Sequence, residues 1–537
     1  MRKIATLLIL TLSLYAHAQS ISRPKLVVGL VVDQMRYDYL YRFYDRYSPG
    51  GFKRLLLQGF SCENTFIPYL PTHTAAGHTS IYTGSVPALN GIMGNSWYDK
   101  AQKKVVYCTD DTSVISIGSN STAGQMSPAN LWANTITDQL RLATNFTSKT
   151  IAIALKDRAS ILPGGHMSNA SYWFDNATGG WITSSYYMKD LPAWVKAFNA
   201  KKIPDNYLKQ NWNTLYPITS YVQSTADSNE YENKLGAEDY TFPHNTSNIS
   251  SNRYEAFRTT PFGNTYTLEM AREAIRAEQL GKRGVTDFLA LSLSSTDYIG
   301  HTFGPNSIEV EDTYLRLDKD LTAFFQYLDA TIGKGQYLLF LTADHGAAHN
   351  PNFLKDNRIK PKSLDEAALR IPLNDSLQNR FKVKNLIARY INYQYFLNDS
   401  VLIKNNLDKE EVKQFIIKLL VKQPSVAFAV DMTGINESSL PANLKMVLNN
   451  SYNPQLSGDI QVIFKPAGID SWRTGITHGL WNPYDSHIPL VWFGWNIKHG
   501  ATNREIYMTD IAVTLAALLH IQMPDAAIGK VITEVVK

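Results

Sequence analysis

The sequence predicts an α/β fold with a largely parallel central sheet flanked by helices, on two observations. Several short segments are apolar at nearly every position, KLVVGLVVD (Lys25–Asp33) being the first. Strands of that kind have no solvent face, and they occur where helices cover both sides of a parallel sheet. Between them, apolar residues recur at three- and four-residue spacing, which gives a helix one buried stripe. Strand and helix in alternation build an α/β fold.

KLVVGLVVD ends in an acid, and TIAIALKDR (Thr150–Arg158) ends in bases. DFLALSLSSTD (Asp287–Asp297) ends in an acid again. QYLLFLTADHG (Gln336–Gly346) carries Asp344 and His345 near its end, and IPLVWFGW (Ile488–Trp495) is the last strand of the series. Val310, Tyr314, Leu317, Leu321, Phe324 and Leu328 predict one long helix between Asn306 and Ala330. MTDIAVTLAALLHI (Met508–Ile521) predicts another. Two stretches break the rhythm. Residues 162–260 are rich in Tyr, Trp, Asn and Ser and read as an inserted cap. Residues 355–468 hold a charged helix (Asp408–Lys422) followed by SVAFAVDM and DIQVIFK, and read as a small inserted α+β subdomain.

A chain of 537 residues with 44% hydrophobic and 12% aromatic content is globular, and one large domain with insertions accommodates it. The net charge of +5 is spread without blocks of like charge, so no nucleic-acid-binding patch is expected. The start, MRKIATLLILTLSLYAHAQS, has the basic opening, apolar run and small residues (Ala16, Ala18) of a secretory signal. Residues 1–18 are therefore expected to be cleaved, leaving 19–537 as a periplasmic or secreted chain. The apolar run from Ile4 to Tyr15 falls short of the roughly 20 residues of a membrane span, so no anchor is expected. A monomer is favoured. Export permits a disulfide, and a bridge between Cys62 and Cys108 is favoured over two free buried thiols.

In open α/β sheets, ligands bind beyond the carboxyl ends of the strands. Here those ends carry Asp33, Lys156, Arg158, Asp297, Asp344 and His345. Three aspartates brought to one edge would repel and desolvate badly unless a cation held them. Carboxylates with imidazoles suit zinc or a similar divalent metal. Of the twelve histidines, His301 lies four residues after Asp297, His345 adjoins Asp344, and His478 sits in the small-residue turn GITHGLW. His349, His487, His499 and His520 read as surface or structural, with His487 open because it begins a buried strand.

The stretch PTHTAAGHTS (Pro71–Ser80) is not a zincin helix. Its two histidines are five apart, about 500° around a helix, so they diverge, and no Glu lies between them. A helix starting near Thr74 would aim free N–H groups at an anion, with Ala75, Ala76 and Gly77 allowing close approach. Thr79 and Ser80 would then lie inside the helix and bond back to carbonyls. Thr74 is left at the mouth. Its hydroxyl needs activation, and no Ser-His-Asp arrangement supplies it, whereas a metal can. Lys156 and Arg158, two apart at a strand end, point the same way. With two divalent ions they make the site net positive, suited to a phosphate dianion.

Together, VVDQMRYDYL, PTHTAAGHTSIYTG, GIMGNSWYDK, LKDRASILPGGH, STDYIGHTFGPNS, TADHGA and THGLWNPYDSHIP resemble the alkaline phosphatase superfamily. The likeness is closest to its periplasmic phosphate-irrepressible members and runs from about Pro24 to Val535. It implies two Zn2+. Asp33, Asp344 and His345, with Thr74, would hold the ion that activates the nucleophile. Asp297, His301 and His478 would hold the ion that stabilises the leaving oxygen. Asn95, Lys156 and Arg158 would contact the phosphoryl oxygens, and Thr74 would form a phosphothreonine. No role is carried over to His73. The implied activity is phosphate monoester hydrolysis, the Lys-x-Arg pair resembling monoesterases. A phosphodiesterase or nucleotide pyrophosphatase shares the zinc ligands and is the alternative. A cofactor-independent phosphosugar mutase is cytoplasmic, against the signal. A non-catalytic exported binding protein would be expected to lose a ligand or the nucleophile, and none is missing.

Overall fold

The predicted strands stand side by side in the middle of one ten-stranded sheet. The computed structural model describes residues 21–236, 240–361, 365–468 and 474–536, so the expected signal segment lies outside the described residues. In chain order the sheet's strands are β1 (Leu26–Val32), β2 (Phe60–Cys62), β3 (Ser116–Ile117), β4 (Thr150–Ala154), β5 (Ala170–Asp175), β6 (Gly180–Ser184), β7 (Asp287–Leu293), β8 (Tyr337–Thr342), β9 (Leu490–Gly494) and β10 (Gly500–Thr502). Across the sheet they run β10-β2-β9-β8-β1-β7-β4-β5-β6-β3. The segment from β8 to β5 is parallel, and β9 pairs antiparallel with β8. β1, β4, β7 and β8 are buried along their whole length, as strands covered on both faces must be.

Register decides where the chemistry lands. Val32 pairs with Leu293, Val31 with Thr342, and Ser292 with Ala154. The four carboxyl ends are therefore level, and the residues that follow emerge at one edge.

The helices that matter for the site are α1 (Thr74–Thr83), α2 (Asp157–Gly164), α3 (Phe262–Ala277), α4 (Ser295–Phe303), α5 (Ile308–Leu328) and α6 (Asp510–Leu519). On α5 all six predicted stripe residues are buried in the main core. The helix begins where the Ser307 hydroxyl accepts from Val310 N at 3.2 Å, an N-cap. Truncating a stripe residue such as Leu321 to Ala would cost about 2–5 kcal/mol in this setting.

The two irregular stretches differ. Within residues 355–468, strands Ile387–Ile391, Gln394–Leu397, Ile460–Phe464 and Val426–Asp431 form a separate four-stranded antiparallel sheet in that order. Helices Glu366–Phe381 and Lys409–Leu420 pack on it through Leu373, Leu377, Val412, Ile416 and Leu420. Residues 162–260 are less of an insertion than their composition suggests. β5 and β6 extend the central sheet, and the aromatic residues that set the stretch apart are core: Trp173, Trp181 and Trp212 are buried. Three short helices of the remainder pack against α3, and near the start of α5 Trp212 Nε1 donates to Asp312 Oδ2 at 2.8 Å.

The expected disulfide is absent. Cys62 and Cys108 are free, buried thiols. Cys62 lies in β2 within the main core, whereas Cys108 packs in a satellite cluster with Ala75, Trp97 and Leu162. Burial pushes the Cys62 thiol up to about 12 and Cys108 up as well, so both behave as small apolar groups.

A buried acid lies near the start of α5. Glu232 is pushed up to about 10, first by burial and then by the charges of Glu309 and Asp227. An unfolded glutamate loses its proton near pH 4.5, so the folded chain holds a proton that the unfolded chain lacks between those values. Stability from this group is present below the lower value and falls as pH rises through the higher one. Glu232→Gln should therefore lose less stability than the parent between pH 7 and pH 10, measured as the change in urea midpoint.

Candidate active site

The predicted residues that follow strands emerge at the level edge of the sheet. Asp33 follows β1, Lys156 lies two residues past β4, Asp297 is in the first turn of α4 after β7, and Asp344 and His345 follow β8. His301 stands one turn along α4 from Asp297, with Nε2 3.2 Å from Asp297 Oδ1. His478 enters on a turn held by Asp485, whose carboxylate accepts from Gly479 N at 3.1 Å and Leu480 N at 2.8 Å.

α1 begins at Thr74, after His73 in extended conformation. Thr79 Oγ1 bonds back to Ala75 O at 2.7 Å; Ser80 makes no such bond. The small residues serve close approach: a Cβ on Gly77 would lie 2.4 Å from Asp344 O. Thr74 Oγ1 lies 3.3 Å from Lys156 Nζ and 3.5 Å from His345 Nε2. Asn95 Oδ1 accepts from Ala75 N at 3.0 Å, at the mouth of the same helix.

Two groups of potential ligand atoms each lie within 4.8 Å: Asp33, Asp344 and His345, and Asp297, His345 and His478. They overlap because the His345 and His478 rings stack at 3.5 Å. The donor chemistry fits metal. His301 Nδ1 meets Ile476 O at 2.8 Å, His345 Nδ1 meets Gly346 O at 3.0 Å, and His478 Nδ1 meets Thr72 O at 2.7 Å. A carbonyl only accepts, so each Nδ1 carries a hydrogen, and Nε2 is the atom that offers a lone pair to a metal once the ring is neutral. Both Asp33 oxygens and Asp344 Oδ2 are buried without a well-directed hydrogen bond.

The charges explain one another. Burial raises Asp33 well above the usual carboxylate range, and Asp344 adds to it. For Asp297 burial acts the same way, but His301 and Lys156 outweigh it and hold the group well below that range. Lys156 Nζ lies between them, 2.7 Å from Asp33 Oδ2 and 2.5 Å from Asp297 Oδ2. Burial lowers His478 strongly, with His345 and His301 adding to it. His73 is pushed down to about 3 by burial and by neighbouring His345 and Arg158; its ring sits edge-on to His478 at 5.6 Å.

Lys156 and Arg158 reach the site by a route other than strand alternation. The strand ends at Ala154, Lys156 is the N-cap of α2, and Arg158 lies in its first turn. Arg158 donates to Tyr107 Oη at 3.0 Å, and that hydroxyl donates to Asp157 Oδ1 at 2.9 Å. His487, left open above, is structural: Nε2 meets Glu63 O at 3.0 Å and the ring stacks on Tyr37.

Sequence reasoning missed Gln34, Tyr107 and Asp485. Gln34 follows Asp33 with φ of 63°; its Nε2 donates to Asp297 Oδ1 at 2.7 Å and its backbone N to Asp344 Oδ1 at 3.1 Å. Gly300 makes room, since a Cβ there would lie 1.8 Å from Gln34 Oε1. The available signal was a polar residue directly after a strand-ending acid.

Removing one partner from a buried ion pair leaves an uncompensated charge, at about 3–5 kcal/mol. In chelator-treated protein at pH 8, Lys156→Met should lower unfolding stability by an amount of that order, read from urea titration. Metal-loaded protein should lose less.

The comparisons with known proteins agree with this geometry. The family model "Type I phosphodiesterase / nucleotide pyrophosphatase" matches residues 27–468. Alkaline phosphatase PhoV of Synechococcus elongatus is 53% identical, over 97% of this chain and 94% of that protein. A Myroides odoratus protein named calcium-transporting ATPase is 54% identical, over 97% and 96%. The crystal structure of wild-type alkaline phosphatase PafA superposes with a TM-score of 0.95 at 50% identity, covering 97% of this chain and all of that one. With its level strand ends, two ligand clusters and threonine at a helix start, the chain belongs to the type I phosphodiesterase/nucleotide pyrophosphatase family, among the hydrolases of the PafA-type alkaline phosphatases.

Proposed function

We propose that the protein hydrolyses phosphate monoesters outside the cytoplasm as a monomer, through a phosphothreonine on Thr74, with two zinc ions as cofactor. The observation that carries the reading is the set of three histidines whose Nδ1 atoms are all tied to backbone carbonyls, turning Nε2 toward buried aspartates beside a threonine hydroxyl. Asp33, Asp344 and His345, with Thr74, would hold one ion, and Asp297, His301 and His478 the other. The ions would supply activation of the hydroxyl and neutralisation of the departing oxygen.

Thr74 Oγ1 gives its proton to solvent and attacks phosphorus in line; the bond to the leaving oxygen breaks as the Thr74–phosphorus bond forms, and that oxygen takes a proton from solvent and departs as the alcohol. Water then displaces Thr74 and releases inorganic phosphate. Lys156, 3.3 Å from Thr74 Oγ1, Arg158 and Asn95 hold the three non-bridging oxygens. They favour a dianionic phosphoryl group, which a monoester has and a diester lacks. Positioning and electrostatics carry the rate, as phosphoryl transfer requires. Ion transport is not part of the proposal; among the described residues no helix is long and apolar enough to cross a membrane.

Thr74→Ala should abolish steady-state turnover of a simple aryl phosphate while bound zinc, measured by elemental analysis, stays near two per chain. Turnover close to the parent rate would remove Thr74 as nucleophile. The unsubstituted protein should hydrolyse the monoester at least about a thousandfold faster than the matching diester at equal concentration, a gap of about 4 kcal/mol in transition-state binding. Equal rates would move the assignment to a diesterase.

A further inference from the structure

His78 has no part in the reaction described, yet its side chain is wholly buried beside it. It is one turn along α1 from Thr74, and its Nδ1 lies 2.9 Å from Thr74 O. The same atom is 3.3 Å from Asp344 Oδ2. On the far side of the ring, Nε2 lies 2.9 Å from Ser292 Oγ on β7. Both neighbours of Nδ1 only accept, so Nδ1 carries the hydrogen, which bonds to the Thr74 carbonyl and faces the carboxylate. Gly77, the preceding residue, lets this turn lie directly on the Asp344 backbone.

We propose that His78 is a positioning residue, whose Nδ1–H bonds to the nucleophile's carbonyl and sets it against the Asp344 carboxylate while Ser292 fixes the ring from the sheet. The helix start and the ligand set then move as one body. Any buried imidazole must satisfy its ring nitrogens; this one does so on the nucleophile's own carbonyl, beside a carboxylate of the ligand set, and on a hydroxyl of the sheet. Groups that orient metal-ligating side chains typically carry 10–100-fold effects on metal affinity or activity. The inference rests on the reading of Thr74 as nucleophile and Asp344 as a zinc ligand.

The test compares three variants of the full chain. His78→Leu removes both polar ends, His78→Asn keeps a donor near the Nδ1 position, and His78→Gln keeps an amide near Nε2. Zinc retention against a competing chelator, the zinc-dependent rise in Tm, and kcat and KM for a monoester are measured on each. His78→Leu should hold zinc roughly 10–100-fold more weakly and lower kcat by a similar factor, with KM little changed and a smaller zinc-dependent rise in Tm. His78→Asn should recover most of the loss and exceed His78→Gln in zinc retention and kcat. Parental zinc retention and kcat in His78→Leu, or His78→Asn no better than His78→Gln, would overturn the proposal. If His78→Leu fails to fold, the Asn and Gln pair still decides it. Thr74→Ala, inactive with zinc retained, is the control: if it stays active, the functional reading fails rather than the role of His78.

Discussion

Three aspartates delivered to one buried edge are the constraint on which the rest depends. Like charges 4 Å apart repel by about 4 kcal/mol at an effective dielectric of 20, and burial adds a desolvation cost. Asp33, Asp297 and Asp344 persist together because compensation is built around them. Lys156 bridges two of them, His301 pairs with Asp297, and Gln34 donates to Asp297 by its side chain and to Asp344 by its backbone. Such clustering is a poor way to stabilise a fold and a good way to bind divalent metal.

The proposed nucleophile, Thr74, is placed by the opposite strategy. α1 carries almost no charge, and its first turn is built from Thr, Ala, Ala and Gly so that backbone packs on backbone. A single added methyl at Gly77 would collide with Asp344. Packing of this kind leaves little freedom, so Thr74 is set by the same contacts that position Asp344 and His345. The parts proposed to be catalytic are held by elements far apart in sequence but rigid in space, as sites requiring sub-ångström placement demand.

Much of this was legible in the residues. Uninterrupted apolar runs marked the strands, and the residue types at their ends marked the edge where chemistry would collect. The spacing of His73 and His78 ruled out a shared metal, and the structure turns one ring toward His478 and the other toward Ser292. The less legible features depend on partners distant in the chain. Gln34 meets Asp344 across 310 residues, and nothing local announces that. Trp173 and Trp181 made a cap out of strands, because aromatic enrichment does not distinguish a cleft wall from a core. Cys62 and Cys108 looked paired because they flank one loop, yet they pack into different clusters.

By itself, then, the sequence determined which segments are buried on both faces, which side chains stand at their ends, and which hydroxyl opens a helix. Those are consequences of local periodicity and residue chemistry. Tertiary structure alone decided strand order and register, which ring nitrogen of His301 and of His478 is turned inward, and that both thiols stay free. Each of those depends on which distant segments become neighbours, and hydrogen bonding to a carbonyl from elsewhere in the chain, rather than any property of the histidine, selects the lone pair offered to a metal.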